Sequence, residues 1–270
     1  MFSKLNFNGE IISSETLVFN FQHSLFQTGE ILVEKVRLLN QEFLFPERHY
    51  FHLMAQMRMA RIEIPMNYTP GFFYNELEKL KEVSGYQNAE FQFYVSRNES
   101  QVDFWIRAEE QTETFHFQED YQIDLYRETY VSGDLHQRLN FLNPRLNILK
   151  IYAEENQLDD LILLNFSKSV AHSMRGNIFA IQDNQVFTSS LEQGALDDVL
   201  RDRVIQACVR TPEISDIQEL EEFFPFKLTH AEEIFIAQNG KGIVQVSKMR
   251  KKNYSKELSE RIVETLLELV

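Results

Sequence analysis

Cysteine is almost absent from this chain: Cys208 is the single one among 270 residues. No disulfide can form within it, which fits a reducing cytoplasm. In its apolar helical context Cys208 reads as a small buried hydrophobe, not a nucleophile. Glycine is scarce at 9 residues and phenylalanine abundant at 23, the reverse of a disordered or low-complexity chain. Basic residues are outnumbered 27 to 41, giving a formal net charge of -14. That balance argues against nucleic acid or an anionic membrane as the main partner, because phosphate neutralisation needs clusters of Lys and Arg. The one short basic run, Lys248 to Lys252, reads as a solvated loop. No apolar stretch approaches the ~18 to 20 residues that cross a bilayer. The opening MFSKLNFNGE has no apolar run after its lysine, so no signal peptide is expected.

What is present is a patterned globular chain, long enough for a well-buried core. Segment 30–45 reads as two strands with a turn at Asn40-Gln41. A helix is expected from Pro46, with Tyr50, Leu53, Met54 and Met57 repeating at helical spacing as core. A second helix is expected from Phe73 to Val83, stopped by Gly85. Phe91, Phe93 and Val95 alternate cleanly, as do Val102, Phe104 and Ile106, with turn residues Asn98 and Ser100 between them. The first half is therefore β-sheet with two helices on one side. The polar, acidic stretch 108–120 marks a domain boundary, giving domains 1–115 and 116–270.

Beyond it, a strand at Ile123 and Leu125 precedes a helix with Pro144 in its first turn, ending near Asn156. DLILLNF is a buried strand. GNIFAI and QVFT form a hairpin around Asp183-Asn184. A helix begins near Asp197, IFIAQ and GIVQV are late strands, and a last helix starts near Ser255.

This order of segments resembles the class IV aminotransferase and aminodeoxychorismate lyase family. The residues that carry the resemblance are a strand ending in Asn8-Gly9, the TGEILVEKVR strand with Gly29, Glu34 and Arg37, and a helix opening His49-Tyr50-Phe51-His52-Leu53. IYAEENQLDDLILLN, RGNIFAIQDNQVFTSSLEQGALDDVLR and AEEIFIAQNGKGIVQV follow at matching places. The resemblance implies an α+β fold of the D-amino acid aminotransferase type (fold type IV). It has a small α+β N-terminal domain, a larger C-terminal domain with a β-barrel-like core, and a homodimer holding pyridoxal phosphate.

Pyridoxal phosphate chemistry needs a lysine amine to capture the aldehyde. It needs an acid to keep the pyridine nitrogen protonated, and an arginine plus a helix N-terminus for the phosphate. The resemblance places Asn140 at the lysine position, or Arg138 if the register slips by two. No lysine occurs between Lys81 and Lys150, and Lys150 lies about ten residues late, an outside candidate. His172 stands where the family has the acid and His52 where it has the arginine. Asp198-Val199, preceded by Asp197, stands at the helix start, and Ala237 replaces a hydroxyl donor. These changes together imply a degraded pocket and no cofactor, in a binding or regulatory homologue; convergence of His52, His172, Asp197 and Asp198 on a divalent metal or cationic molecule is a weaker reading, and no metal is expected. The alternative is an active lyase or aminotransferase that uses pyridoxal phosphate at an atypical site.

Overall fold

The structure is a computed structural model that describes residues 4–19, 21, 23–98, 101–111, 115, 120–134, 138–143 and 145–270. The expected turn residue Ser100, Pro144 and much of the acidic stretch 108–120 lie outside the described residues. The chain divides into two compact units, Met1–Glu113 with Leu139–Leu142, and Thr114–Arg138 with Asn143–Val270.

In the first unit the order is β1 (Lys4–Phe7), β2 (Glu10–Ser13), α1 (Ser24–Gln27), β3 (Ile31–Leu39), β4 (Glu42–Phe43), α2 (Pro46–Met59), α3 (Pro70–Ser84), β5 (Ala89–Asn98) and β6 (Gln101–Glu110). The strands form one antiparallel sheet in the order β2-β1-β6-β5-β3-β4. Period-two alternation sends Leu32, Val36, Leu38, Phe91, Phe93 and Val95 to one face, where Leu53 and Met57 of α2 and Phe73, Leu77 and Leu80 of α3 bury them. Each such side chain contributes roughly 1.5–3 kcal/mol on burial. On the opposite face Tyr94 stacks on Trp105 with ring centroids 5.3 Å apart.

The second helix starts earlier than the apolar pattern indicates. The Thr69 hydroxyl accepts the Phe72 N–H at 3.1 Å and Pro70 takes the first helical position, so capping chemistry sets that boundary.

The second unit holds β7 (Gln122–Val131), α4 (Arg145–Glu155), β8 (Asp160–Asn165), β9 (Val170–Ser173), β10 (Asn177–Gln182), β11 (Gln185–Ser189), α5 (Val199–Arg210), β12 (Asp216–Leu220), α6 (Pro225–His230), β13 (Glu233–Gln238), β14 (Gly242–Gln245), β15 (Lys248–Met249), β16 (Lys252–Asn253) and α7 (Glu257–Leu267). Two five-stranded sheets result, β12-β11-β10-β13-β14 and β16-β15-β7-β8-β9. Asp183 and Asn184 both have positive φ and close the β10–β11 hairpin as a two-residue turn. Phe179 and Phe235 are register partners with rings stacked at 5.0 Å. Cys208 is fully buried, and burial pushes its thiol up to about 12. The basic run 248–252 is not a solvated loop: it forms the β15–β16 hairpin, with Met249 in the core and Lys252 Nζ donating to the Thr229 and Ala231 carbonyls.

A buried carboxyl organises one end of these sheets. Leu161 N–H (2.7 Å) donates to Asp160 Oδ1, while the hydroxyls of Ser173 (2.8 Å) and Tyr121 (3.2 Å) donate to Oδ2. The Ser173 oxygen in turn accepts N–H groups from Arg175 and Gly176, and Tyr121 accepts from Gln238. Every neighbour therefore points a hydrogen at Asp160. Burial raises its pKa to about 6 against the pull of these donors, so the carboxyl is ionised at neutral pH. Asp160→Asn turns an amide NH2 toward one of these donors. It is expected to lower unfolding free energy in urea by about 2–3 kcal/mol at pH 7, against about 1 for Tyr121→Phe.

Candidate functional site

In the first unit the polar centre is Glu34. It lies on the helix-facing side of β3 and is fully buried. His49 and His52, three residues apart on α2, reach it together. His49 Nδ1 lies 2.5 Å from Glu34 Oε1 and His52 Nδ1 lies 2.6 Å from Oε2. A carboxylate only accepts, so both Nδ1 atoms carry hydrogen. Burial pushes the Glu34 pKa up. At the acid pH where Glu34 titrates, the charge on protonated His52 and the hydrogen bonds from both imidazoles outweigh that and hold the carboxyl down at about 2. Gln56, one turn beyond His52, lies with its Nε2 at 3.4 Å from His52 Nε2 and accepts the Asn140 N–H on Oε1 at 2.9 Å. Asn140 is in turn tied to β3, its carbonyl accepting the Val33 N–H at 2.8 Å. The structure thus joins two positions picked from sequence, His52 and Asn140, through a third that was not.

In the second unit the polar centre is the start of α5. Asp198 is the N-cap of this helix and is buried. Its Oδ1 accepts the Arg201 N–H at 2.8 Å and its Oδ2 accepts Asn177 Nδ2 at 2.8 Å. The negative charge sits against the positive end of the helix dipole. Asn177 also holds both backbone groups of Leu196 and is the register partner of Ala237. The preceding Gly176 packs so tightly that a Cβ there would lie 2.1 Å from the Ala237 carbonyl oxygen. Asp198, Val199 and Ala237 therefore belong to one cluster, while Asp197 beside it is only half-buried.

His172 lies on β9. It is half-buried and its Nδ1 donates to the Ser173 carbonyl at 2.6 Å. Burial lowers its pKa below the ordinary value, the hydrogen bond opposing. The neutral ring therefore carries its hydrogen on Nδ1. Arg138 pairs with the exposed Glu192 at 3.2 Å. Lys150 is exposed on α4, whose buried residues are Leu149 and Ala153. Among the described residues no lysine is buried. Nor does any group of three or more His, Cys, Asp or Glu side chains among them form a cluster able to hold a metal ion.

The sequence profile of the amino-transferase class IV family matches residues 32–249, well over half the chain. The chain belongs to this family. Among curated relatives, this class IV member is 28% identical over 109 residues to a protein of Thermotoga maritima named a probable branched-chain-amino-acid aminotransferase. That match covers 40% of this chain and 39% of the relative, well under two thirds of its length. Solved structures share the fold. The branched-chain aminotransferase of Thermoproteus uzoniensis, solved with norvaline, superposes with TM-score 0.86 at 16% identity, covering 100% of this chain and 95% of that one. The branched-chain amino acid aminotransferase of Escherichia coli gives 0.86 at 13% identity, covering 100% and 94%. The class IV fold, α+β with a six-stranded sheet in one unit and two five-stranded sheets in the other, is the one the order of segments implied.

Sequence reasoning named Glu34 as a motif residue but gave it no role, and passed over Gln56 and Asn177. The spacing of His49, His52 and Gln56 on one helix face was the available signal. For this class IV chain the Glu34 clamp yields a pH prediction. The folded pKa lies at about 2, below the ordinary 4.5. The stabilisation is therefore complete above pH 4.5 and is lost as pH falls from there toward 2, amounting to about 3 kcal/mol. Wild type should exceed Glu34→Gln in chemical denaturation by about that much at pH 6, and the gap should shrink steadily below pH 4.5.

Proposed function

We propose that this chain is a non-catalytic class IV aminotransferase homologue, a binding or regulatory protein that acts as a homodimer in the cytoplasm. The proposal includes the loss of the pyridoxal phosphate site. The observation that carries it is the Asp198 carboxylate at the start of α5. If this helix start corresponds to the family's phosphate site, its Arg201 N–H is already engaged by the buried Asp198 carboxylate. A second anion brought to about 4 Å would meet repulsion of about 4 kcal/mol per unit pair at an effective dielectric near 20.

Other residues support the reading. His52, at the position assigned to a phosphate-binding arginine, is turned onto Glu34. It cannot form the bidentate contact a guanidinium makes. His172, at the position of the acid, is a neutral imidazole, which does not hold a pyridine nitrogen protonated as a carboxylate does. Asn140 has no amine, and Ala237 has no hydroxyl. The residues present do not fit the cofactor. The names of the relatives suggest amino acid transamination, but that chemistry asks for a lysine amine, and Lys150 is solvent-exposed.

The test is a titration of the purified protein with pyridoxal phosphate, followed by borohydride reduction and peptide mapping. The expected result is no new visible absorption band and no adduct above that of a surface-lysine control protein. A stoichiometric adduct on one lysine would sink the proposal. If that lysine were Lys150, and Lys150→Ala abolished both adduct and transamination, the active alternative would stand.

A further inference from the structure

We propose that His52 is a proton-operated latch that fastens Leu139–Leu142 to β3. Three hydrogen bonds within the first unit help to hold this short stretch. Leu142 N–H donates to the Ile31 carbonyl at 2.8 Å and Val33 N–H to the Asn140 carbonyl at 2.8 Å. Asn140 N–H donates to Gln56 Oε1 at 2.9 Å. The last of these depends on a side chain, and that side chain's orientation depends on His52.

The logic follows from donor and acceptor counting. A backbone N–H can only donate, so the Asn140 contact requires the oxygen of the Gln56 amide to face it. The NH2 end of the same amide then faces His52 Nε2 at 3.4 Å. An amide NH2 also only donates, so Nε2 must offer its lone pair. His52 Nδ1 is already committed as a donor to Glu34. The arrangement therefore fits a neutral His52 with hydrogen on Nδ1.

A proton on Nε2 sets two donors against each other. The strain is relieved when the Gln56 amide turns over. That puts NH2 against the Asn140 N–H and releases it. Glu34, facing His52 from β3, favours the added proton, and His49 shares that carboxylate from α2, tempering the pull. Gln56 and the Asn140 backbone carry no charge. Imidazole is the side chain suited to such a change near neutrality, and loss of one partly buried hydrogen bond is enough to loosen a short edge segment.

The experiment is amide hydrogen exchange on the full-length chain from about pH 8 to about pH 5.5, corrected for intrinsic exchange. Asn140 is read against Phe93 and Ile106 in the central strands. The relative protection of Asn140 should fall about fivefold to tenfold on acidification. In Gln56→Met, which removes both amide ends at nearly constant volume, protection should be low at both extremes. In Gln56→Glu, a carboxylate accepts from Asn140 and from protonated His52 alike, so protection should persist in acid. Nitrogen-15 spectra of the His52 ring should show the Nδ1–H tautomer at the alkaline end. Flat protection in wild type, or wild-type pH dependence retained in Gln56→Met, would overturn the latch. The wild-type and Gln56→Met profiles decide the matter even if Gln56→Glu does not fold.

Discussion

A helix can offer its first N–H groups to an anion, and α5 gives one of them to its own N-cap. The Asp198 carboxylate takes the Arg201 N–H and is locked from the other side by Asn177. A capping carboxylate stabilises a helix by about 1 kcal/mol, and burial adds to the cost of leaving it unpaired. The same bonds that stabilise the fold place a carboxylate at that point. Asn177 extends the constraint, because it also fixes Leu196 and pairs with Ala237 on β13. The start of α5, the start of β10 and the end of β13 form one hydrogen-bonded assembly.

The first unit shows the same pattern. Glu34 is a buried carboxylate that survives because two imidazoles of α2 face it. Removing both partners would leave a charge without compensation in a region closed to water, the expensive case for buried ions. Gln56 carries the network onward to Asn140. The side chains that resemblance to the family singles out as altered are thus not idle. They bond to other residues of the chain, His52 to Glu34, Asn140 to Gln56, and Asp198 to Asn177 and Arg201.

Much of the fold was readable from sequence because it rests on periodicity. Alternation of Phe91, Phe93 and Val95 and the helical spacing of Leu53 and Met57 reflect burial on one face. The start of α3 was misjudged because Thr69 and Pro70 act through capping, which hydrophobic spacing does not record. The β15–β16 hairpin was taken for a loop because charge dominates its composition. The stems and head groups of such residues find partners only in three dimensions, as Lys252 does with two carbonyls. At the polar centres the residue types were legible and the pairings were not. Nothing in the spacing of Gln56 and Asn140, or of Asn177 and Asp198, announces a contact across so much chain. Order and spacing of motifs did carry the family, because the class IV fold constrains elements along the whole length.

The central claim is that the Asp198 carboxylate holds the α5 N-terminus against any other anion. Its most direct test is the phosphorus-31 resonance of pyridoxal phosphate at substoichiometric to excess protein. The account predicts a resonance that neither shifts nor broadens saturably with wild type. A saturable shift that ordinary phosphate displaces would contradict it.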